Sequence, residues 1–292
     1  MLKNRALTYI ITVYAVTFLY SLLYIKFPYT SKPVGFVLTM IYMFIPLACT
    51  LVLQKLVYKE PLREIGFTFK FSPWYFFALL PIVVALLTFV ISLGFPGVSY
   101  DPEMSGMLER MGKALTAEQM EKAVEQIDQI KGMYLYMGIL NAIVLGATVN
   151  AVFGLGEEAG WRGFLLKELR HLGFYKASLI IGVVWGFWHA PVILQGHNFP
   201  DHSVAGVFIM TAWTILLSPL FTYVVFKTGS VVPAAIMHGV LNASSGIAIG
   251  YVSGGSDLTV GLTGAAGIIA VIVVNAGLYV YDKYFAKERI IV

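Results

Sequence analysis

Long apolar runs separated by short polar stretches set the plan of this chain. Eight of them, at about 6–26, 34–54, 73–95, 133–157, 177–195, 204–226, 230–250 and 259–281, are long enough and poor enough in charge to cross a bilayer. A backbone in lipid satisfies its own hydrogen bonds only as a helix or a closed barrel. Barrel strands alternate apolar and polar positions over roughly ten residues, and these runs do not. The pattern predicts an all-α polytopic membrane protein with about eight transmembrane helices. The first run, Ala6 to Ile25, follows Lys3 and Arg5 as a signal sequence would. It is longer than a signal core of roughly 7–15 residues and lacks a small-residue cleavage site, so it reads as a retained span.

One long polar segment, residues 98–131, predicts amphipathic helices outside the membrane. Asp101-Pro102 is a helix-start signal, followed by Met104, Met107, Leu108, Met111 and Leu115 at helical spacing. Thr116 to Gln119 reads as a capping box ahead of an apolar face of Met120, Ala123, Val124, Ile127 and Ile130. A cap packed on the bundle and a lid touching substrate both fit that pattern. Gly163 to Tyr175 reads as a further amphipathic helix on the cytoplasmic side, with Lys167 and Arg170 suited to anionic headgroups. Pro46, Pro81, Pro191 and Pro219 lie inside spans and predict kinks. Small residues in the seventh run (Gly239, Ala243, Ser244, Ser245, Gly246) and the eighth (Gly261, Gly264, Gly267) predict close helix contact. No internal repeat or low-complexity tract divides the chain. Residues 1–292 therefore read as a single membrane-embedded domain, with a chemistry-bearing core at 133–250 and an outer helical segment at 98–131.

Composition narrows the classes. The chain is 58% hydrophobic and 12% charged, and the second value is half the roughly 25% of a soluble domain. A soluble globular protein is excluded. A single cysteine, Cys49, lies in an apolar run and reads as packing, so no intramolecular disulfide or cysteine metal cluster forms. The net charge of +4 concerns orientation rather than nucleic acid. Of the twenty Lys and Arg, fourteen fall on the side of the membrane that holds the termini and six on the other. The positive-inside rule then puts both termini in the cytoplasm. The expected setting is the plasma membrane of a prokaryote.

Chemistry concentrates in Leu155-Gly-Glu157-Glu158-Ala-Gly-Trp161-Arg162-Gly163, at the end of the fourth run. Ionisable residues at membrane depth are costly and mark function by default. Adjacent helix positions point about 100° apart, so the two carboxylates do not share one task. Glu158 and Arg162 stand at i and i+4 with the acid first, the favourable order for an ion pair. Glu157 is left free as a water-activating base. Two of the five histidines lie within spans, His189 and His238. At 1.5 Å rise they lie about 18 Å and 12 Å from the cytoplasmic ends of their helices. His238 and Asn242, at i and i+4, face one way and can address one ligand. A water-filled cavity opening to the cytoplasm would reach all of them. Trp161, Trp185 and Trp188 read as packing or interface anchors, and His171, His197 and His202 as solvated loop residues.

Three blocks carry a resemblance. Gly156-Glu-Glu-Ala-Gly-Trp-Arg-Gly-Phe-Leu-Leu, Trp185-Gly-Phe-Trp-His-Ala-Pro and Pro233-Ala-Ala-Ile-Met-His-Gly-Val-Leu-Asn resemble the EExxxR, FxxxH and HxxxN motifs of the CAAX protease and bacteriocin-processing (CPBP, or Abi) family of intramembrane proteases. Trp185 departs from that pattern, where Phe is frequent. The resemblance implies an endopeptidase acting on a membrane-anchored peptide or lipidated protein, such as a prenylated CAAX tail. It implies Glu157 as base, assisted by His189, with His238 and Asn242 polarising the carbonyl and Glu158 and Arg162 supporting. No cofactor is required in this version. A single zinc ion held by Glu157, His189 and His238 is the alternative, disfavoured by the lack of an HExxH pair. Two other functional classes stay open, a non-proteolytic membrane scaffold of the same fold and a proton-coupled transporter. The second is disfavoured by the missing repeat symmetry.

Overall fold

The computed structural model describes residues 4–26, 32–69, 72–112 and 115–291. Lys3, Lys70 and Lys113, three of the charges counted for orientation, lie outside them. Among the described residues, seven helices are long and apolar enough to cross a membrane, and a bent pair, Val37–Met43 and Ile45–Val57, brings the number to eight. The all-α reading is borne out, since the one sheet described is a pair of two-residue strands.

The chain opens with α1 (Arg5–Lys26), α2 (Lys32–Met43) and α3 (Ile45–Leu51), the last continued by a π-helical stretch, Val52–Val57. The 42° bend between α2 and α3 falls at Phe44, where Pro46 in the next turn has no N–H to continue the ladder. A 3-10 turn, Pro73–Leu79, leads into α4 (Leu80–Ser92). Strand β1 (Ser99–Tyr100) and helices α5 (Ser105–Gly112) and α6 (Ala117–Ile130) make the polar segment. The capping box at Thr116 forms with both of its hydrogen bonds. The other predicted start is displaced, because α5 begins at Ser105 rather than after Asp101. Asp101 caps it from upstream, its Oδ2 accepting from Ser105 Oγ at 2.7 Å and from the Gly106 N–H at 2.8 Å.

One helical stretch, Ala117–Leu172, then runs 56 residues from the polar segment through the membrane. It comprises α6, a 3-10 turn, α7 (Tyr134–Asn141), π-helical Ala142–Asn150, α8 (Ala151–Glu158), π-helical Ala159–Leu165 and α9 (Leu166–Leu169). Two expectations are corrected here. The fourth span does not end at residue 157, and Gly163 to Tyr175 is not a separate interfacial helix. Residues 159 to 166 are buried and extend the same span. Lys167 is bound to Glu60 at 2.7 Å and Glu64 at 3.0 Å rather than free for lipid. The helix survives its acids because each has a buried partner, described below.

Helices α10 (Phe174–Trp188), α11 (Ala190–Ile193), α12 (Ser203–Thr228), α13 (Val232–Ala243) and α14 (Ser245–Ile249) follow, then strand β2 (Val252–Ser253) and α15 (Ala265–Tyr284). Pro191 separates α10 from α11 and leaves His189 at the joint, whereas Pro219 is accommodated within α12. The eighth span begins later than expected, at Ala265. Its glycines serve the preceding loop, where Gly261 adopts φ +84°, more than they serve helix contact. Gly239 does what small residues predict, since a Cβ there would lie 2.2 Å from the Gly146 carbonyl oxygen. Helix α13 therefore lies directly on the π-helical turn before α8.

Both termini meet one end of the bundle. Arg5 pairs with Glu60 at 2.6 Å, the Val231 N–H donates to the Gly66 carbonyl at 3.1 Å, and Asp282 accepts from the Ile290 and Ile291 amides. At the far end β1 pairs antiparallel with β2, Ser99 opposite Ser253. Arg110 of α5 donates to the carbonyls of Val252 at 2.7 Å and Gly254 at 2.6 Å. The segment 98–131 thus packs onto the α14–α15 connection.

Candidate active site

Helix α8 delivers both carboxylates to the interior. Glycine at 154 lets α13 approach, since a Cβ there would meet the Ala235 carbonyl oxygen at 2.6 Å and His238 Cβ at 2.9 Å. His238 consequently stands beside the acids. Its Nδ1 donates to Glu158 Oε1 at 2.9 Å, and its Nε2 lies 3.7 Å from Glu157 Oε1. The second gap is too long for a direct hydrogen bond and suits a bridging water. Glu158 also pairs with Arg162, Nη1 to Oε2 at 3.0 Å, with both side chains fully buried. The expected i, i+4 pair forms. Arg162 reaches on to Ser218 Oγ at 3.3 Å and is flanked by the rings of Trp185 and Phe221 at 4.5 and 4.6 Å.

Glu157 faces elsewhere, as the 100° offset requires. The Trp185 indole N–H donates to its Oε2 at 2.8 Å, and the Trp161 N–H approaches the same oxygen at 3.5 Å. These contacts settle the reading of the tryptophans in favour of packing and add a polar partner to it. All three are buried rather than interfacial, and Trp188 spends its N–H on Thr17 Oγ1 at 2.8 Å. Trp185 is the site residue that sequence reasoning missed. Its signal was present, because an indole N–H in lipid needs an acceptor and a buried carboxylate is the best one available.

Two carboxylates against one guanidinium leave one negative charge in a buried cluster on the cavity wall. Isolated buried charge is costly, so the arrangement calls for one more proton on the Glu157–His238 pair. His189 has its ring 6.0 Å from the Trp185 ring. Its Nδ1 donates to the Trp185 carbonyl at 2.8 Å, which turns Nε2 the other way.

A cavity of about 560 Å³ joins these groups; Glu157, His189, His238 and Asn242 all line it, with Trp185 and Trp188. Among the described residues, the Asn242 side chain makes no hydrogen bond in the protein, and it is exposed. The direction of the cavity overturns an expectation. It extends to Arg110 of α5, to Asn198 and Asp201 between α11 and α12, and to Asp257 between α14 and α15. These belong to the far end of the bundle, not to the end holding the termini. The terminal end is sealed by buried residues 158 to 166. His197 also lines the cavity, half-buried rather than solvated, and burial pushes its imidazole down to about 4, so it is neutral at ordinary pH. His202 pairs with Asp257 at 2.5 Å on the rim, and His171 is exposed as expected.

Among the described residues, no three His, Cys, Asp or Glu side chains lie together in a way that would hold a metal ion. Glu157, His189 and His238 share a cavity without converging on one point.

A bundle of apolar, membrane-length helices with an acid–imidazole cluster on an internal cavity defines an integral membrane protein. Residues 138–244, which contain all three motifs, match the family of Rce1-like type II CAAX prenyl endopeptidases. The matched segment is the one whose motifs resemble this family. The chain is also similar to CAAX prenyl protease 2 of Methanococcus maripaludis, 25% identical over 162 residues. That similarity covers 53% of this chain and 54% of the relative, so the chain spans about half the length of the curated relative it matches.

Proposed function

We propose that this chain is an intramembrane endopeptidase that hydrolyses a peptide bond of a membrane-associated substrate through water activated by Glu157. The observation that carries this reading is the placement of the Glu157 carboxylate on the cavity wall, held by Trp185 at 2.8 Å and with His238 Nε2 at 3.7 Å. The family match and the name of the relative support peptide-bond hydrolysis of the CAAX type.

In the proposed reaction, Glu157 takes a proton from water as the water oxygen adds to the peptide carbonyl carbon. The protonated acid then gives that proton to the departing amide nitrogen, so the C–N bond breaks and the carboxylate is restored. His238, fixed at Nδ1 by Glu158 and carrying its second proton at Nε2, donates to the oxyanion. The unpaired Asn242 amide is the second donor. Such donors are each worth roughly 3–4 kcal/mol in other hydrolases. His189 lines the same cavity and serves proton movement or substrate contact.

The test is cleavage of a panel of lipidated and unlipidated peptides, CAAX tails included, by the purified protein in proteoliposomes. Turnover is expected to persist with chelator present and to fall at least 1000-fold, a loss of about 4 kcal/mol in barrier stabilisation, in Glu157→Gln. Full activity of Glu157→Gln ends this reading, and chelator-sensitive turnover restores the metal alternative.

A further inference from the structure

We propose that the groove between the Pro73–Leu79 turn and α15 binds an anionic phospholipid, with one acyl chain in the groove and the phosphate on Lys227. This groove shares no lining residue with the cavity that holds Glu157. The proposal stands whether or not the chain cleaves peptides. Two helical periods build its walls. A 3-10 helix has three residues per turn, so side chains three apart stack in a column. Trp74, Phe77 and Leu80 stack in this way along the turn into α4. An α-helix brings positions i, i+4 and i+7 to one face, and Val274, Leu278 and Tyr281 make the facing wall on α15. Between them lies a groove of about 340 Å³. Gly277 opens it, because a Cβ there would meet nothing within 4 Å. Buried Tyr223 of α12 supports the first wall, its ring 5.6 Å from Trp74 and 5.8 Å from Phe77.

The groove has the depth of one leaflet. Trp74 stands one residue from the terminal end of its span, Pro73–Ser92, and Tyr281 three residues from that of Ala265–Tyr284. From Trp74 to Leu80, at about 2.0 Å per residue, the column is roughly 12 Å long. The stretch from Val274 to Tyr281 gives roughly 10 Å at 1.5 Å per residue. Half of a bilayer's hydrocarbon core is about 15 Å thick. The groove therefore runs inward from the membrane boundary over most of one leaflet, as a single acyl chain does. Chains elsewhere in the bilayer are equally dry, so what the groove adds is close packing.

Charge selects the headgroup. Lys227, in the last turn of α12, holds its Nζ 5.3 Å from the ring centroids of both Trp74 and Tyr223 and donates to the Glu288 carbonyl. An ammonium has three N–H donors, so two remain. Among the described residues, no carboxylate lies within ion-pair distance of Lys227, whereas Arg5, Lys131, Arg162 and Lys167 each have one. Asp282 of α15 is occupied instead by the Tyr223 hydroxyl and the amides of Ile290 and Ile291. An unneutralised cation at the membrane boundary, followed inward by an apolar trough, matches a phosphate followed by a chain. A zwitterionic headgroup carries its own cation and meets Lys227 as a like charge, so an anionic lipid is favoured.

The test uses the full chain, purified in detergent and stripped of lipid. Phosphatidylglycerol, phosphatidylcholine with the same chains, or glycerol phosphate is titrated in while the melting temperature is read. A ligand bound only by the folded state raises melting with its concentration, which yields an apparent affinity. Phosphatidylglycerol is expected to bind roughly 5-fold more tightly than phosphatidylcholine, the factor one lysine contributes beside anionic lipid. Glycerol phosphate, which has the head without the chain, is expected to give no shift. Lys227→Gln should erase the preference and Lys227→Arg should keep it. Gly277→Leu fills the space of the chain and should weaken both lipids roughly 10-fold or more. Leucine is also the better helix former, so the lipid-dependent rise is read rather than the starting melting temperature. Equal affinity for the two lipids, or a preference that survives Lys227→Gln, removes the phosphate site. Unchanged binding in Gly277→Leu empties the groove of a chain, and a full shift with glycerol phosphate alone leaves an anion site without one. Each of these outcomes overturns the proposal, and the Lys227 variants decide it if Gly277→Leu does not fold.

Discussion

Trp185 shows how one side chain decides what a carboxylate does. Its N–H meets Glu157 Oε2 at 2.8 Å while its ring covers the Arg162 guanidinium at 4.5 Å. The tryptophan therefore holds the proposed base and shields the ion pair behind it. Trp185→Phe keeps the ring and removes the donor. A hydrogen bond to a charged acceptor is worth about 1.5–3 kcal/mol, so kcat is expected to fall roughly 10–100-fold with KM little changed and folded yield unaltered. A variant that loses yield and activity together points instead to packing. Arg162 tests the other half of the cluster. Arg162→Ala leaves Glu158 buried beside His238 without its guanidinium, and breaking such a pair costs about 3–5 kcal/mol. Thermal unfolding in detergent is expected to shift down sharply. Combining Glu158→Gln with Arg162→Met should recover much of that stability without recovering turnover, which separates structural support from chemistry. Normal melting and normal activity of Arg162→Ala remove the ion pair's assigned role. The pair itself was legible from the i, i+4 spacing. The role of Trp185 was not, because spacing says nothing about which helix an indole on another span will meet.

At the level of elements, the site depends on how closely α13 lies on the helix carrying the acids. A Cβ at residue 239 would fall 2.2 Å from the Gly146 carbonyl oxygen and 2.4 Å from the Ala151 amide nitrogen. These are backbone atoms and cannot step aside. Gly239→Ala must push the two helices apart next to His238, at an overpacking cost of about 1–3 kcal/mol. A lower melting temperature is expected, together with lost turnover, since the His238–Glu158 contact at 2.9 Å has no slack. Unchanged melting and turnover contradict this close crossing. The spans themselves were legible as apolar runs, and the Thr116 capping box as a motif. The continuation of the fourth span past Glu157 was not. Hydropathy treats two acids and an arginine as an exit from the membrane, and only the pairing of Glu158 with Arg162 and of Glu157 with Trp185 lets the helix continue.

On the scale of the whole molecule, an ionic cluster ties the N-terminal helix to the helix bearing the acids. Glu60 takes both Lys167 at 2.7 Å and Arg5 at 2.6 Å, while Lys167 also holds Glu64 at 3.0 Å. The sequence offered Arg5 only as an orientation signal and Lys167 as that and a headgroup contact, since their partners come from a separate connection. The Lys167 hydrogen bond, followed by that from Arg5, holds the Glu60 carboxyl below its ordinary value of 4.5. A depressed folded-state value means that the stabilisation is fully present above the ordinary carboxylate range and is lost as pH falls through the lower, folded-state value. The group is partly exposed, with about a quarter of its side chain accessible, so its contribution is about 1 kcal/mol or less. The melting temperature is therefore expected to hold near neutral pH and to decline below pH 4.5. Glu60→Gln should melt lower at neutral pH and show a smaller acid decline, because the variant has already lost what acid removes. An identical pH dependence in the two proteins assigns the acid transition elsewhere. Because Lys167 lies five residues beyond Arg162 on the same helical stretch, loosening this cluster also tests whether the terminal-end seal of the cavity depends on it: in Glu60→Gln, a cysteine introduced at Ser245 on the cavity wall in a Cys49→Ala background should remain unreactive to a label confined to the terminal end if the buried residues 158 to 166 suffice, and become reactive there if the ion pairs are what keep that end shut.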